Sequence, residues 1–184
     1  MELQNAHSHS TTQTTVQAVQ QALHRTTQQV LKRKFINVGE IYVSKEPMEI
    51  ATVLGSCVGI ALYDRVEKIG ALNHYLLPLW NGNGLQSPKF GNISIPKMIE
   101  QALRAGASIQ NMEAKIFGGA NINQTNLENM MIGKKNIIIA REILAQNKIP
   151  VVAEDVGGFR GRRIVMRSDT NKVLLRYAGE EDKK

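Results

Sequence analysis

The sequence predicts an α+β fold, a strand-rich mixed-sheet core flanked by helices. Three observations predict it. Short β-rich segments stand on both sides of only two convincing helical segments, so the chain lacks regular βαβ alternation. Clusters of Gly, Asn and Pro punctuate those segments at loop-like intervals. The chain has 184 residues, 42% of them hydrophobic, which is enough for one sizeable core.

Taken in order, residues 1–34 are rich in Gln, Thr and Ser and read as a polar, disordered tail. Val16, Val19, Leu23 and Val30 fall at near-helical spacing, which allows a partner-dependent helix over about 14–33. The globular domain is expected over 35–179, with 180–184 a charged C-terminal tail. "FINVGEIYVS" (35–44) reads as one strand and "EIATVLG" (49–55) as a second, both rich in β-branched residues. "CVGIALYD" and "KIGALNHYLL" form an apolar hairpin, and "PLWNGNGLQSPKFGN" (78–92) is a long loop. "IPKMIEQALRAGA" (95–107) is a helix whose Met98, Ile99, Ala102 and Leu103 share a face and whose stop is Gly106. "EAKIFGGA" (113–120) is a strand entering a glycine turn, and "GKKNIIIAREILAQNKI" (133–149) is the second helix, ended near Pro150. "PVVAEDVGG", "RRIVMRS" and "KVLLRYAG" complete the strands.

Composition narrows the class of protein. No apolar run approaches the roughly 18 residues of a transmembrane helix, so no membrane insertion is expected. The N-terminus lacks the basic and apolar regions of a secretory signal. One cysteine makes neither an internal disulfide nor a thiolate metal site, and the histidines of "HSH" (7–9) read as solvated tail. The expectation is a cytoplasmic protein without metal or cofactor. The net charge of +7 is concentrated at the ends: four basic residues against Glu2 in 1–34, and eight against four acidic ones in 160–184. Only Phe159 and Tyr177 accompany the C-terminal basic cluster, which is a poor nucleic-acid face, and no nucleic acid is expected as a partner.

The single cysteine, Cys57, and the one histidine beyond residue 25, His74, share the apolar hairpin. With "DRVE" (64–67) as its loop, Tyr63 pairs with Lys68, and the same register sets Cys57 directly opposite His74, Cβ atoms roughly 4.5–5.5 Å apart. A slip of one residue would put them on opposite faces. An imidazole in reach of a thiol can take its proton and hold a thiolate–imidazolium pair, the nucleophile of a cysteine hydrolase. Gly55 permits a sharp turn before the cysteine, and backbone N–H groups near Ser56 and Cys57 could hold an oxyanion. The same residues also suit a plain core: a lone cysteine in an apolar stretch is most often an inert small hydrophobe. Asn73 and Ser56 suit loop or cap positions equally well.

"TVLGSCVGIALYD" followed by "GALNHYLLP" resembles the signature of the CheD family, the chemoreceptor glutamine deamidases of bacterial and archaeal chemotaxis. "AKIFGGAN" (114–121), "IGKKNI" (132–137), "VVAEDVGGFRGRRIVM" (151–166) and "KVLLRY" follow in the family's order, so the resemblance covers residues about 36–177. It implies a thiol hydrolase that converts receptor glutamine side chains to glutamate with release of ammonia, and in some members also hydrolyses glutamyl methyl esters. Its nucleophile matches Cys57 and its histidine His74. A threonine upstream completes the family's triad, with Thr52 the nearest candidate, although Ala51 competes for the position and Thr52 would have to reach around the turn at Gly55. Phe117, Gly118 and Gly119 would shape the site, the glycines also serving as turn positions. The implied fold is like that of the cytotoxic necrotizing factor deamidases. The implied partners are chemoreceptor cytoplasmic helices and the phosphatase CheC. The alternative is a non-catalytic adaptor that binds receptors or that phosphatase. The long tail departs from the family pattern, and "RGRR" (160–163) reads as a solvated basic face.

Overall fold

A computed structural model describes residues 31–122 and 127–179. The expected tails, the 14–33 helix and "HSH" fall mostly or wholly outside these residues. The described strands are β1 (Lys32–Phe35), β2 (Ile41–Ser44), β3 (Met48–Leu54), β4 (Val58–Asp64), β5 (Ile69–Asn73), β6 (Met112–Gly118), β7 (Val151–Val156), β8 (Arg162–Arg167) and β9 (Val173–Tyr177). The helices are α1 (Gly91–Arg104) and α2 (Leu127–Gln146), with a short 3-10 turn at Ile109–Asn111. None of the described helices is long and apolar enough to cross a membrane.

The strands form two mixed sheets, in the orders β1-β3-β8-β9 and β2-β5-β4-β6-β7. Each has one parallel pair, β1 with β3 and β6 with β7. The β6–β7 pair is parallel because α2 carries the chain back between them, the crossover that parallel neighbours require. The expected α+β class holds, with helices packed on one side of the second sheet.

The core has two layers. Ile95, Met98, Ile99 and Ala102 of α1 and Ile137, Ala140, Ile143 and Leu144 of α2 pack on Val58, Ile60 and Leu62 of β4 and on Ala114 and Ile116 of β6. On the other face of the same strands, Ala61, Tyr63, Leu72 and Phe117 meet Ile50, Leu54, Ile164 and Met166 of the first sheet. Strand β4 is therefore buried on both faces along its whole length, which explains its unbroken apolar sequence.

Several expectations need correction. "FINVGEIYVS" is two strands in different sheets. Gly39, at φ +83°, breaks it in a turn where Glu40 N–H donates to the Asn37 carbonyl (3.0 Å). Strand β1 begins at Lys32, inside the segment read as tail. Helix α1 starts four residues before Ile95; Gly91 lies so close to Tyr75 and Ile139 that a side chain there has no room. Its C-terminus follows expectation, with Gly106 at φ +104° and Ala107 N–H returning to the Ala102 carbonyl (3.0 Å). Helix α2 starts six residues early and ends at Gln146, because Lys148 takes the left-handed conformation (φ +58°) and Ile149 N–H caps the Leu144 carbonyl (2.9 Å).

The sheets approach closely where small residues allow. Gly70 pairs with Tyr63, and a Cβ on it would lie 2.5 Å from the Ser168 backbone. Backbone cannot yield as a side-chain tip can. Gly70→Ala should cost about 3 kcal/mol in urea denaturation. Gly82→Ala, at φ +91° but in open space, should cost only about 1 kcal/mol of backbone strain.

Candidate functional site

The chain changes sheets between β3 and β4, and Cys57 stands in that crossing turn. Gly55, Ser56 and Cys57 make the turn, and all three carbonyls are held from within the protein. Ala120 N–H donates to the Gly55 carbonyl (2.8 Å), Gly119 N–H to the Cys57 carbonyl (2.7 Å) and Asn136 Nδ2 to the Ser56 carbonyl (3.1 Å). Among the described residues no peptide bond is cis. In a trans peptide the N–H opposes the C=O. The N–H groups of Ser56 and Cys57 therefore point away from the groups that hold the Gly55 and Ser56 carbonyls.

His74 follows the last residue of β5 and is buried at 5% exposure. Its Nδ1 lies 2.8 Å from Thr52 Oγ1, and the same hydroxyl lies 2.8 Å from the Ile36 carbonyl oxygen. The carbonyl can only accept, so the single hydroxyl proton goes there. Thr52 then accepts from His74 Nδ1–H, which fixes the imidazole tautomer and leaves the Nε2 lone pair bare. Nε2 is buried and has no hydrogen-bond partner among the described residues. Asn73 holds the neighbouring backbone in place, since its Oδ1 accepts Ile60 N–H (2.8 Å) and its Nδ2 donates to Ser94 Oγ (3.0 Å).

The hairpin register differs from the expected one. Asp64 pairs with Ile69 and Tyr63 with Gly70, so the loop is 65–68 rather than 64–67. Asp64 ends the strand and folds the loop itself: its Oδ1 accepts Val66 N–H (2.8 Å) and Glu67 N–H (2.9 Å), and its Oδ2 accepts Ser108 N–H (2.7 Å). Moving the loop by one residue shifts the pairing by two. Val58 bridges Tyr75, and His74 becomes a diagonal neighbour of Cys57 rather than its opposite. Cys57 itself stands in the turn before β4, outside the paired ladder, so the turn and not strand alternation sets its direction. Cys57 packs against the inter-sheet cluster, half-buried, on the face from which His74 reaches Thr52.

Thr52 does not reach around the turn at Gly55. It is buried on β3 in the first sheet and meets His74 straight across the gap between sheets. Ala51 sends only its backbone to this region, accepting Ile36 N–H (2.9 Å). Phe117 is a buried member of the inter-sheet cluster. Gly118, at φ +106°, is pressed against the Cys57 carbonyl so closely that no Cβ fits, and Gly119 donates to that carbonyl.

Two contributors were missed in the sequence. Asn136 lay within a helix-like run. Arg162 looked like part of a solvated basic face, but it is 3% exposed, pairs with Asp155 (2.9 Å) and donates to the carbonyls of Gly118 (2.8 Å) and Gly157 (2.9 Å). It thereby binds together the two glycine turns beneath the Cys57 turn. An Arg a few residues after the Gly157–Gly158 pair was the only available signal. Among the described residues no three of His, Cys, Asp and Glu come together as a metal cage.

Burial pushes the Cys57 thiol above its ordinary range, against a smaller opposing pull from its own backbone N–H. Burial lowers His74 to about 4. Both shifts favour the thiol and the neutral imidazole over the charged forms. The unfolded chain protonates His74 near 6.5, while the folded protein resists until about 4. Between those values the unfolded state binds the extra proton. Stability should therefore be complete above pH 6.5 and fall by about 2–3 kcal/mol as the pH drops to about 4. Urea denaturation across that range should show the loss in the native chain, and a flatter profile in His74→Gln.

A family model described as CheD chemotactic sensory transduction matches residues 76–177, beginning just after His74. The chain is 48% identical over 147 residues to a "Probable chemoreceptor glutamine deamidase CheD" of Sulfurimonas denitrificans, covering 79% of this chain and 94% of that one. It is 44% identical over 145 residues to a protein of the same description from Trichlorobacter lovleyi, covering 79% and 90%. Among solved structures, the Bacillus licheniformis hypothetical protein YfiH is similar at a TM-score of 0.43 and 15% identity, over 62% of this chain and 49% of that one. That likeness is too loose to carry an argument. The family model and the long, near-complete alignments to these relatives agree: the chain belongs to the CheD family.

Proposed function

We propose that this protein is a chemoreceptor glutamine deamidase in chemotaxis, a cytoplasmic protein-glutamine glutaminase with Cys57 as its nucleophile. The observation that carries the reading is the Thr52–His74 bond, which leaves a bare, buried Nε2 on the face of the half-buried Cys57. The names of the similar proteins supply the substrate class.

The thiol gives its proton to His74 Nε2 as the sulfur attacks the carboxamide carbon of a receptor glutamine. The proton moves with the attack because neither group favours charge beforehand. The amide oxygen, now negative, is received by the outward N–H groups of Ser56 and Cys57, with Gly55 allowing the turn. The tetrahedral intermediate collapses, the C–N bond breaks, and the imidazolium gives its proton to the departing nitrogen, which leaves as ammonia. A water molecule then loses a proton to Nε2 and attacks the thioester. The C–S bond breaks, the sulfur regains its proton, and glutamate remains. Thr52 acts through His74 as the third member of the triad, holding the tautomer in place. Phe117, Gly118 and Gly119 shape the turn from beneath. The same steps hydrolyse a glutamyl methyl ester, with methanol in place of ammonia.

A nucleophile in a surface turn suits a protein substrate, and chemoreceptor cytoplasmic helices are that substrate. The phosphatase CheC is the proposed regulatory partner. The proposed fold kinship is with the cytotoxic necrotizing factor deamidases.

Incubation with a receptor cytoplasmic fragment should add about 1 Da per converted glutamine, by exchange of amide for acid, in mass spectrometry. Cys57→Ala and His74→Ala should each abolish that gain while leaving a folded protein. Full conversion by either variant would rule out the mechanism in favour of another nucleophile; receptor binding without conversion by the native chain would favour the adaptor. Thr52→Ser should keep most activity, whereas Thr52→Val should lower kcat about 10²-fold, the scale of a lost general base. Alkylation of Cys57 in the free protein should have its midpoint above that of an ordinary thiol, since burial disfavours the thiolate.

A further inference from the structure

We infer that Asn136 is the positioning residue of the nucleophile turn, a single side-chain amide that sets the Ser56–Cys57 peptide against the strand carrying His74. The inference rests on the deamidase reading and adds a residue to it.

Asn136 lies in the middle of α2, on the helix side of the second sheet, and is completely buried. Its Nδ2 carries two hydrogens and both are used. One goes to the Ser56 carbonyl (3.1 Å) and the other to the Leu76 carbonyl (2.8 Å). Ser56 immediately precedes Cys57, and Leu76 follows His74 by two residues. The backbone joins in: the Tyr75 hydroxyl donates to the Asn136 carbonyl (2.6 Å). One helical residue thus ties the nucleophile turn to the segment leaving the base, with no other element between.

Its Oδ1 is buried without a hydrogen-bond partner among the described residues. An orphaned buried acceptor is costly, and an apolar residue here would avoid the cost. The side chain is therefore not explained by packing alone. Its two donated bonds are what an apolar residue cannot supply. They fix the plane of the Ser56–Cys57 peptide, and so the direction of the Cys57 N–H and the start of its side chain. The ladder beside it is interrupted, since Ile60 N–H goes to the Asn73 side chain rather than to backbone. Next to the turn only the Val58–Tyr75 pair remains, each N–H donating to the other's carbonyl (3.1 and 3.0 Å), and the Asn136 clamp acts with it to set the separation of Cys57 and His74. A shift of about 1 Å in such a geometry costs on the order of 10²-fold in rate.

The test uses the full chain, a receptor cytoplasmic fragment and ammonia release. Asn136→Ala removes both donated bonds, and Asn136→Ser keeps one hydroxyl donor. Ser168→Ala is the control for stability alone: it removes a buried hydroxyl that bonds the Glu46 carbonyl (2.8 Å) and Met48 N–H (2.9 Å), far along the chain from the turn. Asn136→Ala should lower kcat at least tenfold with KM within threefold, at a melting temperature no lower than that of Ser168→Ala. Asn136→Ser should fall between Asn136→Ala and the native chain. The pH midpoint of Cys57 alkylation by iodoacetamide should move upward by half a unit or more in Asn136→Ala and stay fixed in Ser168→Ala. An unchanged kcat, a loss confined to KM, an equal loss in Ser168→Ala, or failure of both Asn136 variants to fold overturns the inference. If the native chain releases no ammonia, the deamidase reading fails instead, and the alkylation midpoint alone decides whether Asn136 positions Cys57.

Discussion

The hydrogen bond between Thr52 and His74 is the constraint around which this structure is organised. It joins the two sheets beside the apolar cluster between them. It is buried, so water cannot replace it, and it is directional, so it fixes more than a distance. Because the Thr52 proton is committed to the Ile36 carbonyl, the imidazole has one tautomer available. With that tautomer fixed, the other ring nitrogen must carry a lone pair.

Around that bond the fold delivers the cysteine through backbone rather than side chain. Leaving one sheet for the other requires a sharp turn, and a sharp turn exposes peptide groups that must be satisfied. Gly119, Ala120 and Asn136 supply the inner partners, and Arg162 supports the glycine turns from below. With the carbonyls engaged inward, the opposite N–H groups are left facing the other way. Strand switching and the outward direction of these N–H groups are here two results of one geometry.

Burial gives the site its chemical character. It raises the thiol and lowers the imidazole, so both groups favour their neutral forms. The protein is thereby spared a permanent buried ion pair, whose desolvation would be expensive. It carries instead one bare, buried nitrogen, His74 Nε2.

The amino-acid sequence by itself determined the α+β class, the hairpin of β4 and β5 that Cys57 precedes and His74 follows, and the glycine turns. Period-two alternation and turn chemistry are local, so a single chain displays them. A loop misplaced by one residue shifted the expected pairing by two. Thr52 could be named only through resemblance, and its partner could not be named at all: whether Thr52 meets the turn or the opposite sheet depends on how two sheets stack. The same holds for the division of 35–44 between sheets, for the burial of Arg162 in what looked like a solvated basic run, and for Asn136 in an ordinary helical stretch. Long-range packing decided these, since a side chain's hydrogen-bond partner dozens of residues away leaves no mark on its neighbours in sequence.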